Sequence, residues 1–212
     1  MMTFSELNTA ITEEMQLDPG LVSDAERRRF INDFLNKVGN LQLLEKVYEE
    51  ASVSTQYVDF PSDFSKLKRL YWYDGSVYTL LEPVQDDAAF NSSGKPVGYN
   101  IEGNQVRLYP SPSSSGTLRW IYNYLPAEFT TSNEGDTPDI PQAWDGTIVD
   151  YACYRSHRKN GNQVASLQYY RDFKESIGDC IRSYIARLNS KVYSSVEEGT
   201  VVTDSDTFIP RW

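Results

Sequence analysis

Hydrophobic residues recur at helical spacing along the first quarter of the chain. In residues 4–15 and again in residues 30–48 they lie three or four positions apart, which is the period of an amphipathic helix. Residues 23–26 (Ser-Asp-Ala-Glu) form a capping-box pattern ahead of the second run. The pattern therefore predicts two helices, of which the second is long and ends near Ala51.

The spacing changes to an alternation of apolar and polar residues over residues 54–125, which is typical of half-buried strands. Asp74-Gly75 and Gly103-Asn104 each separate two such runs and predict hairpin turns. Residues 83–90 predict a short helix within this region, and residues 116–124 predict a last strong strand. We expect five or six antiparallel strands.

Helical spacing returns after Asp139, which is predicted to cap a helix that Gly161 ends. Asn162 is predicted to cap a further helix that reaches about Leu188, so that the two helices form an antiparallel pair. The fold class expected from these elements is α+β: an antiparallel α-helical bundle with an inserted small antiparallel β-sheet and an extended C-terminal tail. The predicted bundle comprises residues 1–53 and 127–189, the β-rich insert residues 54–126 and the tail residues 190–212.

The predicted tail is polar but ends in a short apolar segment. Aromatic anchors on an extended segment are typical of a docking peptide, so the tail is expected to bind a partner. The alternative, a tail that folds back on its own domain, stays open. The anchoring segment is Phe208, Ile209, Pro210, Arg211 and Trp212.

Composition narrows the classes of function. The net charge is −10, which disfavours a protein that neutralises nucleic-acid phosphates. The fifteen tyrosines suit half-buried surfaces and interfaces between proteins. The N-terminal residues lack the pattern of a signal peptide, and no apolar run is long enough to span a membrane. Cys153 and Cys180 are expected to be small buried residues.

The residues that could carry chemistry form no catalytic pattern. His157 is the single histidine, and neighbouring cations oppose its protonation. The sequence contains no nucleophile elbow and no phosphate-binding loop, so we expect no enzyme and no cofactor. Glu134, Asp136 and Asp139 are close in sequence and could bind calcium, but they lack the EF-hand pattern and are better explained as an acidic turn.

Other residues are candidates for contact with partners. Arginines at the start of the second helix could pair with an acidic partner, or could simply be solvated. Arg155, Arg158 and Lys159 form a basic helix end. The aromatic strand around position 72 is expected to be a half-buried sheet face or an interface rather than a base-stacking platform. Besides the anchoring segment, the candidate partner contacts are Arg27, Arg28, Tyr71, Trp72, Arg155, Arg158 and Lys159.

Four stretches resemble the head-to-tail adaptor (connector) proteins of tailed bacteriophages, most closely those of short-tailed phages. They are AERRRFINDFLNKV at 25–38, YVDFPSDFSKLKRLYW at 57–72, IPQAWDGTIVDYACYRSHRKNGN at 140–162 and QYYRDFKESI at 168–177. In such proteins a helix rich in small residues and tyrosine follows an Ile-Pro start and pairs with a second helix.

The resemblance implies a virion protein of the neck and tail that assembles in the host cytoplasm. It implies a homo-oligomeric ring, of about twelve copies, that links the portal protein to the tail nozzle and tail fibre proteins. The DNA would pass through this ring during genome ejection without specific binding. The alternative is a ligand- or sugar-binding module, or an enzyme, with its site around Trp72, Trp120 and Tyr122.

Overall fold

The computed structural model describes residues 1–15, 22–84 and 92–194, with side chains described as far as residue 187. The helices in these residues are α1 (Phe4–Met15), α2 (Asp24–Asn40), α3 (Asp145–Lys159) and α4 (Gln163–Ser194), and a 3₁₀ turn (Gln142–Trp144) precedes α3. The strands are β1 (Glu45–Val53), β2 (Tyr57–Asp59), β3 (Phe64–Tyr73), β4 (Tyr78–Leu80), β5 (Glu82–Pro83), β6 (Ser93–Gly94), β7 (Gly98–Glu102), β8 (Gln105–Tyr109), β9 (Ser111–Pro112) and β10 (Gly116–Tyr124).

The strands form three sheets. The main sheet has the order β1-β10-β3-β4 and is antiparallel throughout, and a second four-stranded sheet has the order β2-β8-β7-β5. The strands β6 and β9 form a third, two-stranded sheet. Two pairs, β5 with β7 and β6 with β9, are parallel, so the strands are not all antiparallel as expected.

The predicted fold class, a helical bundle with a small inserted sheet, is wrong. The chain is a mixed α+β protein in which strands are as prominent as helices. Buried side chains from α1, α2, α3 and the two four-stranded sheets join in one hydrophobic cluster, because helices and sheets bury their apolar faces on each other. The division of the chain into bundle, insert and tail stays a prediction.

The largest error concerns the second helix, which ends at Asn40 and not near Ala51. Gln42 has a left-handed φ of 54°, which turns the chain out of the helix, and β1 then pairs with β10. The Asn123 side chain on β10 donates hydrogen bonds to the carbonyls of Gln42 and Leu44. These contacts are distant in sequence, so helical spacing alone could not reveal them.

Other predicted elements are confirmed. Both hairpins form, with Gly75 and Gly103 at positive φ, and β10 spans the predicted residues. Helices α3 and α4 form the predicted pair, with Asn162 accepting a hydrogen bond from the first turn of α4. Asp139 does not cap α3, which begins only after the 3₁₀ turn.

Two predicted segments lie wholly or mostly outside the described residues. The short helix at 83–90 begins with a residue of β5, and positions 85–91 are not described. The tail was expected to start at position 190, but α4 continues to Ser194. The rest of the tail, which includes the anchoring segment at 208–212, lies outside the described residues.

Candidate interaction surfaces

The main sheet has one face in the core and one face toward solvent. Trp72 lies on the inner face and is 2% exposed. Tyr71 lies opposite Arg119 and Leu80 in the strand ladder and is half-buried on the outer face. The structure therefore places two neighbouring residues, both predicted to contact a partner, on opposite faces of the sheet.

The outer face of this sheet carries an ordered group of aromatic and charged side chains. The guanidinium of Arg119 lies 4.6 Å from the ring centroid of Tyr78, and its Nε atom is 2.9 Å from a carboxylate oxygen of Glu49. The Tyr78 hydroxyl donates a hydrogen bond to the same carboxylate, which raises the pKa of Tyr78. The ring of Tyr73 stacks on that of Tyr78 at 4.5 Å. Fixed tyrosine rings of this kind suit an interface between proteins.

A cleft of 670 Å³ lies between the start of β1 and the loops after β2 and β10. At its centre, Lys46 Nζ is 2.7 Å from Asp63, and the Tyr122 hydroxyl donates to Asp63 at 2.7 Å. Burial raises the pKa of Tyr122, and the hydrogen bond to Asp63 raises it further. Burial acts to raise the pKa of Asp63, but the bonds from Lys46 and Tyr122 outweigh it and leave that pKa below its usual value. These groups keep one charge state near neutral pH, as expected for a structural network.

The predicted alternative, a ligand or sugar site around three aromatic residues, is not supported. Trp72, Trp120 and Tyr122 are 2%, 0% and 1% exposed. Sugar and base recognition by aromatic residues requires an exposed ring face. Their rings instead form part of the core beneath the main sheet.

His157 is 5% exposed and stacks on the ring of Tyr169 at 5.3 Å. Burial lowers the pKa of His157, so its imidazole stays neutral at pH 7. Burial also raises the pKa of the Cys153 thiol to about 12, which keeps it from acting as a thiolate. Both residues therefore act as packing groups, and the expectation that the two cysteines are buried is confirmed.

Two further kinds of feature, a metal site and a membrane span, are absent from the described residues. In residues 1–15, 22–84 and 92–194, no three histidine, cysteine, aspartate or glutamate side chains are arranged so that they could hold a metal ion. No helix in the same part of the chain is long and apolar enough to cross a membrane. Of the three clustered carboxylates in residues 134–139, Glu134 pairs with Arg28, and Asp139 lies 3.8 Å from Lys46.

Arg27 is 6% exposed, although it was predicted to contact a partner. Its guanidinium donates hydrogen bonds to the Asn8 side chain, to the Val22 carbonyl and to the Asp24 carboxylate. A buried charge needs such partners, because removal from water is costly. Arg27 therefore joins α1 to the start of α2.

Arg28 also makes contacts within the chain. Its guanidinium pairs with Glu134 and lies 4.9 Å from the ring centroid of Phe4, and its side chain is 14% exposed. It fastens the loop before α3 to the two N-terminal helices. The two arginines that the sequence analysis selected on α2 thus serve mainly to hold the fold together.

The basic end of α3 lies beside α2 and lines a groove of 580 Å³. This surface, here called the basic groove, is lined by Glu26, Arg29, Phe30, Arg155, Arg158 and Lys159. Arg155 covers the Phe30 ring at 5.2 Å and pairs with Asp33 at 3.2 Å. Lys159 pairs with Glu26. Three of the predicted contacts are thus brought together, as their spacing on one helix end predicted, and Arg29 joins them.

A second charged surface, here called the acidic cluster, was not predicted. It consists of Glu14 on α1, Asp150 on α3 and Asp172 on α4. Burial, together with the smaller effects of the charges of Asp172 and Glu14, raises the pKa of Asp150 to about 6. In the part of the chain that the structure describes, no lysine or arginine pairs with these three carboxylates. The residues are far apart in sequence, so no local pattern signals them.

The raised pKa of Asp150 predicts a dependence of stability on pH. Because this pKa is about 6 in the folded chain and 3.8 ordinarily, the folded state binds the proton more tightly. Stability should therefore fall as the pH rises from about 4 through about 6. We expect Asp150→Asn to raise the Tm of dilute protein by about 2–4 °C at pH 8 and to leave it nearly unchanged at pH 4.

The matched control is Glu13→Gln, which removes one exposed carboxylate next to the cluster. It should change the Tm little at either pH, as surface substitutions usually do. An equal effect of Asp150→Asn at pH 4 and pH 8, measured by thermal unfolding, would contradict the raised pKa.

The family model described as SU10 adaptor protein matches residues 2–196. No curated protein matches the chain. The matched span contains the four α-helices and ten strands of the described residues, and therefore also the basic groove, the acidic cluster and the outer face of the main sheet.

Proposed function

Because the chain belongs to the SU10 adaptor protein family, we propose that it forms a ring that joins the portal of a bacteriophage to its tail. The family match over residues 2–196 is the observation that carries this proposal. It supports a structural phage protein, and we propose no catalytic activity. The finer features, a ring of about twelve copies and a phage of the short-tailed type, belong to the proposal.

The charge of the chain is compatible with a DNA channel. A net charge of −10 keeps a ring from gripping the phosphates of DNA that passes through it, since like charges repel. The DNA would therefore move through the ring during genome ejection without specific binding. The ring would be part of the neck and tail of the virion, after assembly in the host cytoplasm.

Contacts with the portal, the tail nozzle and the tail fibre proteins would use the outer face of the main sheet and the anchoring segment. The outer face of the main sheet offers Tyr71, Tyr73 and Tyr78 in a fixed arrangement. The anchoring segment at 208–212 adds two aromatic residues and one cation, which are frequent at the centres of interfaces. We propose that this segment docks on the portal.

The test is to mix the purified full chain with the portal ring and to observe the product by native mass spectrometry and electron microscopy. We expect a ring of the chain bound to the portal in a fixed stoichiometry. A chain that stays monomeric and does not bind the portal at any ratio would contradict the proposal. The same experiment counts the copies in the ring.

A chain that lacks residues 195–212 tests the docking role of the tail. The deletion starts after Ser194, the last residue of α4. We expect the truncated chain to lose at least about tenfold in affinity for the portal, because aromatic anchors supply much of the energy of an interface. The control is Phe208→Tyr, which keeps an aromatic ring. Equal affinity of the truncated and full chains would show that docking uses another surface.

A further inference from the structure

We propose that the basic groove of one copy receives the acidic cluster of the neighbouring copy, so that these two surfaces form the repeating contact of the ring. The inference rests on the proposed ring function and names the surfaces and the partner, which is a second copy of this chain. The two surfaces share no residue, so the contact is head-to-tail. Contacts of this kind close into rings when the rotation between copies allows it.

The basic groove carries cations that the chain itself leaves uncompensated. Arg29 and Arg158 are exposed, and among the described residues no carboxylate forms an ion pair with either. The partner described for Arg158 is a neutral group, the Tyr154 hydroxyl, at 2.9 Å. The groove therefore suits a partner with several carboxylates.

Contacts at the floor of the groove hold its cations in a defined arrangement. Phe30 is 7% exposed, and the Arg155 guanidinium covers its ring. Asp33 and Glu26 fix the directions of Arg155 and Lys159. Cations held in this way lose little conformational freedom when a partner binds, which favours association.

The acidic cluster carries negative charges that no cation of the described residues compensates. Glu14, Asp150 and Asp172 come from three helices that pack together, so their relative positions are set by the fold. The partners described for Glu14 and Asp172 are neutral: the Tyr169 hydroxyl at 3.2 Å and the Gln168 amide at 3.2 Å. Asp150 is half-buried among like charges. Cations from a partner would relieve this repulsion.

The two surfaces face different directions. Asp150 and Arg155 are five residues apart on α3, which corresponds to about 140° around a helix. Asp150 is affected by the charges of Glu14 on α1 and Asp172 on α4, two helices that pack on α3, whereas Arg155 forms an ion pair with Asp33 on α2. One copy can therefore bind a neighbour on each side at the same time, as a ring requires.

A second copy explains the groove better than DNA does. Glu26 lines the groove, and Asp33 lies 3.2 Å from Arg155, so carboxylates stand among the cations and would repel phosphates. A fixed group of three carboxylates can instead fit between them. Moreover, a contact with DNA would leave the acidic cluster without a partner.

Charge reversal on each surface tests the pairing. The variants are compared under the conditions in which the wild type assembles into a ring. The groove variant is Arg29→Glu with Arg158→Glu, and the cluster variant is Glu14→Lys with Asp172→Lys. We expect each variant alone to raise the apparent dissociation constant of the ring by about 100-fold or more, since like charges then face each other. Mixed in equal amounts, the two variants should form an alternating ring, because both contacts are again between opposite charges.

Recovery on mixing also shows that both variants are folded. The control is Lys37→Glu with Lys66→Glu, two exposed cations elsewhere, which changes the net charge as the groove variant does and should assemble normally. If both variants assembled as well as the wild type, the pairing of these two surfaces would be wrong. The proposed ring function would not be affected by that result. Loss of assembly without recovery on mixing, or loss only of DNA binding by the groove variant, would overturn the pairing too. A wild type that never assembles would refute the proposed function itself.

Discussion

Replacement of Trp72 by alanine should lower the free energy of unfolding by about 3–5 kcal/mol, the usual range for a large aromatic residue removed from a core. The Trp72 side chain is 2% exposed on the inner face of the main sheet. Gly116 on β10 lies directly against it, because a Cβ atom at position 116 would come within 2.3 Å of the indole ring. The ring thus fills a space that a smaller side chain would leave empty.

The matched control is Tyr71→Ala, one residue away on the opposite face of the same strand. Tyr71 is half-buried, so its loss should cost less than about 1 kcal/mol. Urea denaturation of the two variants and the wild type measures both effects. Similar losses of stability in the two variants would contradict the assignment of Trp72 to the core and Tyr71 to the surface.

Replacement of Arg27 by alanine should lower the free energy of unfolding by about 2–3 kcal/mol, because it removes the partner of three groups at the junction of α1 and α2. The Val22 carbonyl and the Asn8 side chain would lose a charged donor. Asp24 is largely exposed, so water can solvate it and the loss there is small.

Arg29→Ala provides the comparison on the same helix. Arg29 is exposed, and its loss should change the stability by no more than about 0.5 kcal/mol. Chemical denaturation of both variants would separate the roles of the two arginines. If Arg27→Ala were as stable as Arg29→Ala, the guanidinium of Arg27 would not be the link between α1 and α2.

Local patterns in the sequence were sufficient for elements that depend on nearby residues. The hairpins follow from Asp74-Gly75 and Gly103-Asn104, because these turns need positive φ at a glycine. The helix pair follows from Gly161 and Asn162, which end one helix and start the next. In each case the physical cause lies within a few positions of the element.

The start of β1 shows why local patterns fail elsewhere. Leu41, Leu44 and Tyr48 have helical spacing, yet Leu44 is 1% exposed and Tyr48 is 41% exposed. One face of a helix would have buried both. This segment is a strand because it pairs with β10, which lies more than sixty residues later in the chain. The spacing of its own residues cannot indicate that partner.

Like the secondary structure, the candidate surfaces were predictable only where their residues are close together in the sequence. The basic end of α3 was recognised because Arg155, Arg158 and Lys159 are neighbours in sequence and a helix C-terminus favours cations. The acidic cluster brings together residues from α1, α3 and α4, and only the tertiary fold makes them neighbours. Burial also distinguishes nearby residues of one type, such as Arg27 and Arg29, that look equivalent in the sequence.

The position of β1 at the edge of the main sheet affects the tendency of the protein to aggregate before assembly. Its nine residues have β10 on one side only among the described strands, and an open edge of this length invites pairing with identical chains and precipitation. Four of its residues are charged: Glu45, Lys46, Glu49 and Glu50. Charged side chains along an open edge act as gatekeepers against aggregation. These four charges therefore protect the open edge of β1 from pairing with the same edge of another copy.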